Sequence, residues 1–100
     1  MTPLAISHYT LSTALGAGRA ATLGSLRAGR SGLAPASFLD VDLSTWIGEV
    51  AGLDAARLPP GLADFDCRNN RLAWLGLQQD GFADSVRAAR KRWGPHRVRC

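Results

Sequence analysis

The sequence LAISHYTLSTALGAGRAATLGSLRAGRSGL, residues 4–33, contains the features that decide the fold. Residues 3–9 alternate between two faces and predict a first strand, with small residues that suit a sheet covered on both sides. A loop rich in threonine, serine and glycine leads to a helix predicted over residues 19–28. Gly29 stands where a left-handed C-cap is expected, and Gly24 inside the helix predicts close packing against the sheet.

The remaining sequence predicts a second strand and a second helix. Residues 45–51 alternate as a strand, after a loop over residues 31–44. Residues 64–93 predict one long helix that begins at a cap from Asp64 or Asp66 and ends at the Gly-Pro pair that follows. Its buried stripe consists of Leu72, Leu75, Gln79, Phe82, Val86, Ala89 and Trp93. Residues 96–100 then begin a further strand-like segment.

This β-α-β-α order indicates an α/β fold that is incomplete. Two strands need further partners before a sheet is independently stable, so we expect the chain to be part of a larger sheet and poorly stable alone. The 100 residues allow one small domain, and the 46% apolar content is typical of a globular chain.

Composition excludes several classes of protein. No apolar run is long enough to span a membrane, and the N-terminus does not resemble a secretory signal, so a cytoplasmic location is expected. Cys67 and Cys100 have no spacing typical of a disulfide framework or a metal site, and His8 and His96 add no metal pattern. We therefore expect no metal and no cofactor, and we interpret Cys67 as a packing residue.

A glycine pattern after the first predicted strand raises the possibility of a dinucleotide site. Residues 16–21 match GxGxxA before a helix, and Asp40 follows about twenty residues later. Six or seven residues separate the predicted strand from Gly16, whereas a dinucleotide turn begins at the strand end. The loop is better interpreted as a corner between strand and helix.

Basic residues supply two candidate binding surfaces. The net charge is +4, and half of the twelve basic residues lie in residues 87–99. This basic tail is either a solvated helix end or a surface for nucleic acid or an acidic protein. Arg68 and Arg71, three residues apart at the start of the predicted helix, either pair with Asp64 or Asp66 or form a docking point for an acidic partner.

Four stretches resemble a known enzyme family. The stretches AISHYTLSTALG (residues 5–16), TLGSLRAGRSGL (22–33), DVDLSTWIGEV (40–50) and DCRNNRLAWLGLQQDGF (66–82) are similar to the N-terminal part of β-ketoacyl-acyl carrier protein synthases. These are condensing enzymes of the thiolase fold, which serve fatty acid and polyketide-type biosynthesis. The resemblance covers residues 4–98, and its most specific piece is LRAGRSGL after the TALG loop.

The resemblance implies a decarboxylative Claisen condensation, in which a cysteine nucleophile and two histidines act on carrier-protein thioesters. In the family these residues follow the second helix, so neither cysteine and neither histidine of this chain takes their place, and no catalytic residue is carried over. The family implies an acyl carrier protein that meets Arg68 and Arg71 in the full-length enzyme, and a homodimer. We expect neither a membrane nor nucleic acid as partner.

The chain departs from the family after Val98, where Arg99 and Cys100 interrupt an expected apolar strand. We therefore expect residues 1–100 to be a partial N-terminal domain from a truncated product, without condensing activity alone. The alternative from another class is a small basic binding module that uses residues 87–99 on nucleic acid or an acidic protein.

Overall fold

The computed structural model describes residues 3, 5–36 and 43–98, and its regular structure begins with a short hairpin. Strand β1 (Ser12–Thr13) pairs antiparallel with β2 (Gly16–Ala17), and helix α1 (Gly18–Arg27) follows directly. Strands β3 (Leu33–Pro35) and β4 (Trp46–Gly48) form a second antiparallel pair. The described part of the chain is therefore a mixed α/β structure.

The second half of the chain is helical. A 3₁₀ helix (Pro60–Phe65) leads to α2 (Arg68–Leu77), which a turn joins to α3 (Phe82–Trp93), and a second 3₁₀ helix (Pro95–Arg97) follows. None of the helices in the part that the structure describes is long and apolar enough to cross a membrane.

The predicted first strand is wrong. The described residues 5–9 are exposed and form no strand, whereas pairing begins at Ser12, inside the predicted loop. The reason is local: the backbone N–H of Leu15 donates to Thr13 Oγ1 at 3.1 Å, which closes a tight turn between β1 and β2. The predicted loop over residues 31–44 likewise contains strand β3.

The α1 helix and the second predicted strand are confirmed in outline. Helix α1 begins and ends one residue before the predicted bounds, Gly29 takes φ 63°, and β4 lies within residues 45–51. Helix α1 packs on the hairpin through small polar residues: Ser25 Oγ donates to the Leu15 carbonyl at 2.8 Å, and Thr22 Oγ1 donates to the Gly16 carbonyl at 3.3 Å. The expected close packing at Gly24 is wrong, because a Cβ there would meet nothing within 4 Å.

The predicted long helix is also wrong, since two residues break it. Asp80 and Gly81 take φ 57° and 66°, a left-handed conformation that cannot continue a right-handed helix. Gly94, with φ 83°, ends α3 where predicted, but the segment after it is 3₁₀ helix rather than strand. The predicted stripe nevertheless faces inward: its first six members are half-buried, and only Trp93 is exposed.

Apolar burial is small in this chain. Among the described residues, Leu53 is the one hydrophobic side chain classed as buried, whereas eleven large hydrophobic side chains are exposed. The radius of gyration is 16.8 Å, whereas a compact domain of this length has about 13 Å. The accessible surface is 8211 Å², against roughly 5,500 Å² for a folded monomer of this mass. The described elements therefore leave much apolar surface uncovered.

Candidate docking site at the start of α2

Arg68 and Arg71 lie in the first turn and a half of helix α2, where Arg68 is exposed and Arg71 is half-buried. Arg68 Nη1 lies 2.5 Å from Asp54 Oδ1, in the turn that precedes the 3₁₀ helix. Both side chains of this pair are well exposed, at 47% for Arg68 and 85% for Asp54. The pair is therefore screened by solvent and contributes little to stability.

Arg71 makes the better-defined pair of the two. Its Nε donates to Asp66 Oδ1 at 2.5 Å and its Nη2 to Asp66 Oδ2 at 2.7 Å, which is the bidentate fork that guanidinium and carboxylate geometry favour. Hydrogen bonding by Arg71 lowers the pKa of the Asp66 carboxyl, and the same bond raises the pKa of Arg71. Asp66 therefore stays ionised and holds the Arg71 side chain in one orientation.

These two ion pairs show which carboxylates Arg68 and Arg71 contact, a question that the sequence left open. Arg71 pairs with Asp66, one of the two expected partners, whereas Arg68 pairs with Asp54, fourteen residues away, for which the sequence carries no local signal. The expected cap is wrong: Cys67 holds the N-cap position, and no side chain caps α2. Cys67 is exposed, so its interpretation as a packing residue is also wrong.

The start of α2 offers hydrogen-bond donors to a partner, but it carries no net charge. Two arginines and two aspartates sum to zero formal charge at the start of α2. A guanidinium carries five N–H donors in a fixed plane, and Arg71 uses two of its five on Asp66. The remaining donors can bind a carboxylate or phosphate oxygen of a partner. The surface is thus suited to directional hydrogen bonding, with a modest long-range field.

The glycine loop before α1 is not an open phosphate site. The backbone N–H of Arg19 donates to Asp80 Oδ1 and Oδ2 at 3.1 and 3.0 Å, and Thr10 Oγ1 donates to Oδ2 at 3.0 Å. Asp80 thus places a carboxylate where a pyrophosphate would bind at the helix N-terminus. Asp40 lies outside the described residues. No local pattern in the sequence indicates this contact, because 61 residues separate its two members.

The basic tail divides into paired and unpaired cations. Arg87 pairs with Asp84, and Arg92 lies over the Trp93 ring with 4.6 Å from Cζ to the centroid. Among the described residues, no carboxylate lies within ion-pair distance of four cations: Arg90, Lys91, Arg92 and Arg97. Positive charge is therefore concentrated at the end of α3. Cys100 lies outside the described residues.

Other chemistry has little support in the described part of the chain. No group of three or more histidine, cysteine or acidic residues is placed to hold a metal ion there. His8 is exposed and lies beside Ser85 and Ala89 of α3. Comparison with protein-family models, with curated proteins and with solved structures finds no match to this chain.

Proposed function

We propose that this chain is an N-terminal portion of a β-ketoacyl-acyl carrier protein synthase, an acyltransferase that forms carbon–carbon bonds by decarboxylative Claisen condensation. In this proposal its elements belong to a thiolase-like fold, and it contributes structure and carrier docking rather than chemistry. The four stretches that resemble the family support this, as does the mixed α/β character of the described residues.

The observation that carries the proposal is the outward apolar surface. Leu26 of α1 is 60% exposed and Trp46 of β4 is 65% exposed, while the buried residues of α1 are small or polar. Among the described residues eleven large hydrophobic side chains are exposed and one is buried, whereas a complete soluble domain buries most of its large apolar side chains. These side chains therefore support a chain that packs against further α/β structure.

Arg68 and Arg71 are the residues proposed to meet the carrier. Both lie at the start of α2, where Asp54 pairs with Arg68 and the bidentate contact of Asp66 holds Arg71 in one orientation. A preorganised guanidinium loses less side-chain entropy on binding a partner carboxylate than a mobile one. The proposal thus assigns Asp66 the role of orienting Arg71.

Titration of fluorescently labelled acyl carrier protein with the full chain tests this docking. We expect micromolar binding that Arg68→Glu/Arg71→Glu weakens at least tenfold, because two attractive contacts become repulsive. The matched control Arg27→Glu/Arg97→Glu makes the same change in net charge elsewhere and is expected to have a several-fold smaller effect. Equal loss in both double variants would contradict the assigned site, since binding would then follow net charge alone.

A condensation assay with malonyl and acyl carrier protein tests the expectation that this chain alone has no condensing activity. We expect no product above a protein-free blank, because the family's nucleophile and histidines have no counterpart in this chain. Measurable product would refute that part of the proposal.

A second candidate function is a small basic binding module, which the cations at the end of α3 favour because none of the described carboxylates pairs with Arg90, Lys91 or Arg92. A salt titration separates it from carrier docking. Binding of a single-stranded oligonucleotide that falls steeply with salt would support phosphate contacts.

A further inference from the structure

An open hollow lies along α3, on the side of the helix that faces His8. Its volume is about 280 Å³, close to the lower end of the range for small-ligand sites, about 300–1,000 Å³. A second hollow adjoins it and shares His8, Ser85 and Ala89, so open space continues along this side of α3. We name the first space the His8 hollow, which is lined by His8, Ser85, Ala88, Ala89, Arg92 and Trp93.

The surroundings of the His8 hollow are cationic. Arg92 lines the hollow, Arg90 and Lys91 precede it in α3, and Arg97 follows in the second 3₁₀ helix. None of the described carboxylates lies within ion-pair distance of these four side chains. Asp84 is the acidic residue of α3, and a neighbouring arginine compensates its charge. The hollow is therefore complementary to an anion.

Trp93 gives the His8 hollow an aromatic wall. Its side chain is 53% exposed, and Arg92 Cζ lies 4.6 Å from the centroid of its ring. Further apolar structure is a poor cover for this tryptophan, because it would also take Arg92 out of water without a carboxylate partner. A partner that brings both negative charge and a flat ring suits the two side chains better.

We propose that the His8 hollow binds a nucleotide of a single-stranded nucleic acid. The base would lie against Arg92 and Trp93, since bases stack on aromatic rings and on guanidinium planes. The phosphate would accept hydrogen bonds from Arg92 and His8, and the adjoining hollow would receive the next nucleotide. This proposal rests on the second candidate function, the basic binding module, and assigns that module a site.

Other anionic partners use less of this surface. The carboxylates of an acidic protein would pair with the arginines but leave the Trp93 ring without a partner. An anionic membrane takes up apolar side chains that project from a protein surface, whereas the hollow is concave and alanine and serine line it between His8 and Arg92. A free nucleotide has the same chemistry as one unit of a strand, and competition separates the two sources.

Fluorescence anisotropy of a labelled thymidine strand of 12 nucleotides, titrated with the full chain, tests the proposal. We expect binding that weakens about tenfold between about 50 and 200 mM salt, because phosphate contacts release counterions. Trp93→Leu removes the ring and is expected to weaken binding at least fivefold. The matched control Trp46→Leu makes the same change at another exposed tryptophan and is expected to stay within twofold of the parent chain.

Two further variants test the polar side of the hollow. Arg92→Gln is expected to weaken binding at least fivefold and to lower the salt slope by about one. Its matched control, Arg27→Gln, makes the same charge change at the end of α1 and should stay within twofold. His8 lies outside the helices and strands, so His8→Ala tests the hollow with those elements intact and is expected to weaken binding about threefold.

Several results would overturn the proposal. Equal losses in Arg92→Gln and Arg27→Gln would show that net charge alone acts. Steep salt dependence with no effect of Trp93→Leu would keep the basic binding module but exclude the hollow. Tighter binding of polyglutamate or of phosphatidylserine vesicles would assign the surface to another partner, and full displacement by AMP at equal nucleotide concentration would assign it to a free nucleotide. Arg68 and Arg71 are unchanged throughout, so failure here is separate from failure of carrier docking.

Discussion

The backbone N–H of Arg19 donates to both carboxylate oxygens of Asp80, at 3.1 and 3.0 Å, and so joins the start of α1 to the turn between α2 and α3. The Asp80 side chain is only 13% exposed, and the Arg19 guanidinium lies over the Tyr9 ring. Asp80 thus caps a helix from a distant part of the chain, and its φ of 57° is kept by that contact.

Replacement of Asp80 tests this cap. In Asp80→Ala the Arg19 N–H loses its acceptor and alanine is strained at positive φ, so we expect a cost of about 1–2 kcal/mol. The readout is amide hydrogen exchange at Arg19, expected to speed up roughly tenfold in line with that cost. Asp80→Asn keeps one acceptor and tolerates positive φ, so its exchange rate at Arg19 should lie between those of the parent chain and Asp80→Ala. Unchanged exchange in Asp80→Ala would contradict the cap.

Two glycines give opposite expectations for the same substitution. A Cβ at Gly32 would lie 2.9 Å from the Ala14 backbone and side chain, so Gly32→Ala should cost about 1–3 kcal/mol. A Cβ at Gly24 would meet nothing within 4 Å, so Gly24→Ala should stabilise α1 by about 0.5–1 kcal/mol. Hydrogen exchange in β3 and β4 measures the effect of Gly32→Ala. Helix content by circular dichroism measures the effect of Gly24→Ala. Equal effects of the two substitutions would contradict the packing at Ala14.

The N-cap of α2 can be improved. Cys67 lies at the N-cap with φ −140° and ψ 165°, the extended conformation in which a side-chain oxygen accepts from the first-turn N–H groups, but it makes no such bond. Cys67→Ser and Cys67→Asp should therefore raise α2 stability by about 1 kcal/mol relative to Cys67→Ala. Exchange rates of the α2 amides measure this, and a serine variant no more protected than alanine would show that the cap position is misassigned.

Low pH should reduce the stability of the first turns of α2, because protonation of Asp66 removes its ion pair with Arg71. Its folded pKa lies below its ordinary value, so its contribution is present above about pH 4 and is lost as the pH falls through the folded pKa. We expect α2 amide protection in the parent chain to be constant from neutral pH down to that range and then to fall. Asp66→Asn should start lower and show less change. Parallel pH profiles for the two proteins would show that Asp66 is not the group that titrates.

Local patterns in the sequence predicted α1, its Gly29 cap, the β4 strand and the inward stripe from Leu72 to Ala89, because helical and strand periods are set by neighbouring residues. The break at Asp80 was missed for a different reason. Aspartate tolerates positive φ only modestly, and the distant Arg19 N–H that holds it there leaves no local signal.

For Arg68 and Arg71, too, local contacts were predictable from the sequence and distant contacts were not. The spacing of three residues predicted that Arg68 and Arg71 lie in the first turns of α2. The short distance in sequence between Asp66 and Arg71 predicted their ion pair. The Asp54 pair depends on how the turn before the 3₁₀ helix folds back, which no periodicity encodes. The strand predicted over residues 3–9 failed because alternation alone does not supply a neighbouring strand to pair with.

Calorimetry of the isolated chain tests most directly the claim that these elements are built to pack against further structure. An independent domain of this length unfolds with an enthalpy of about 60–80 kcal/mol near its midpoint. We predict no cooperative endotherm of that size, because so much of the described apolar surface is exposed. A single sharp transition with that enthalpy would contradict the account, since it would show a domain that is complete without a partner.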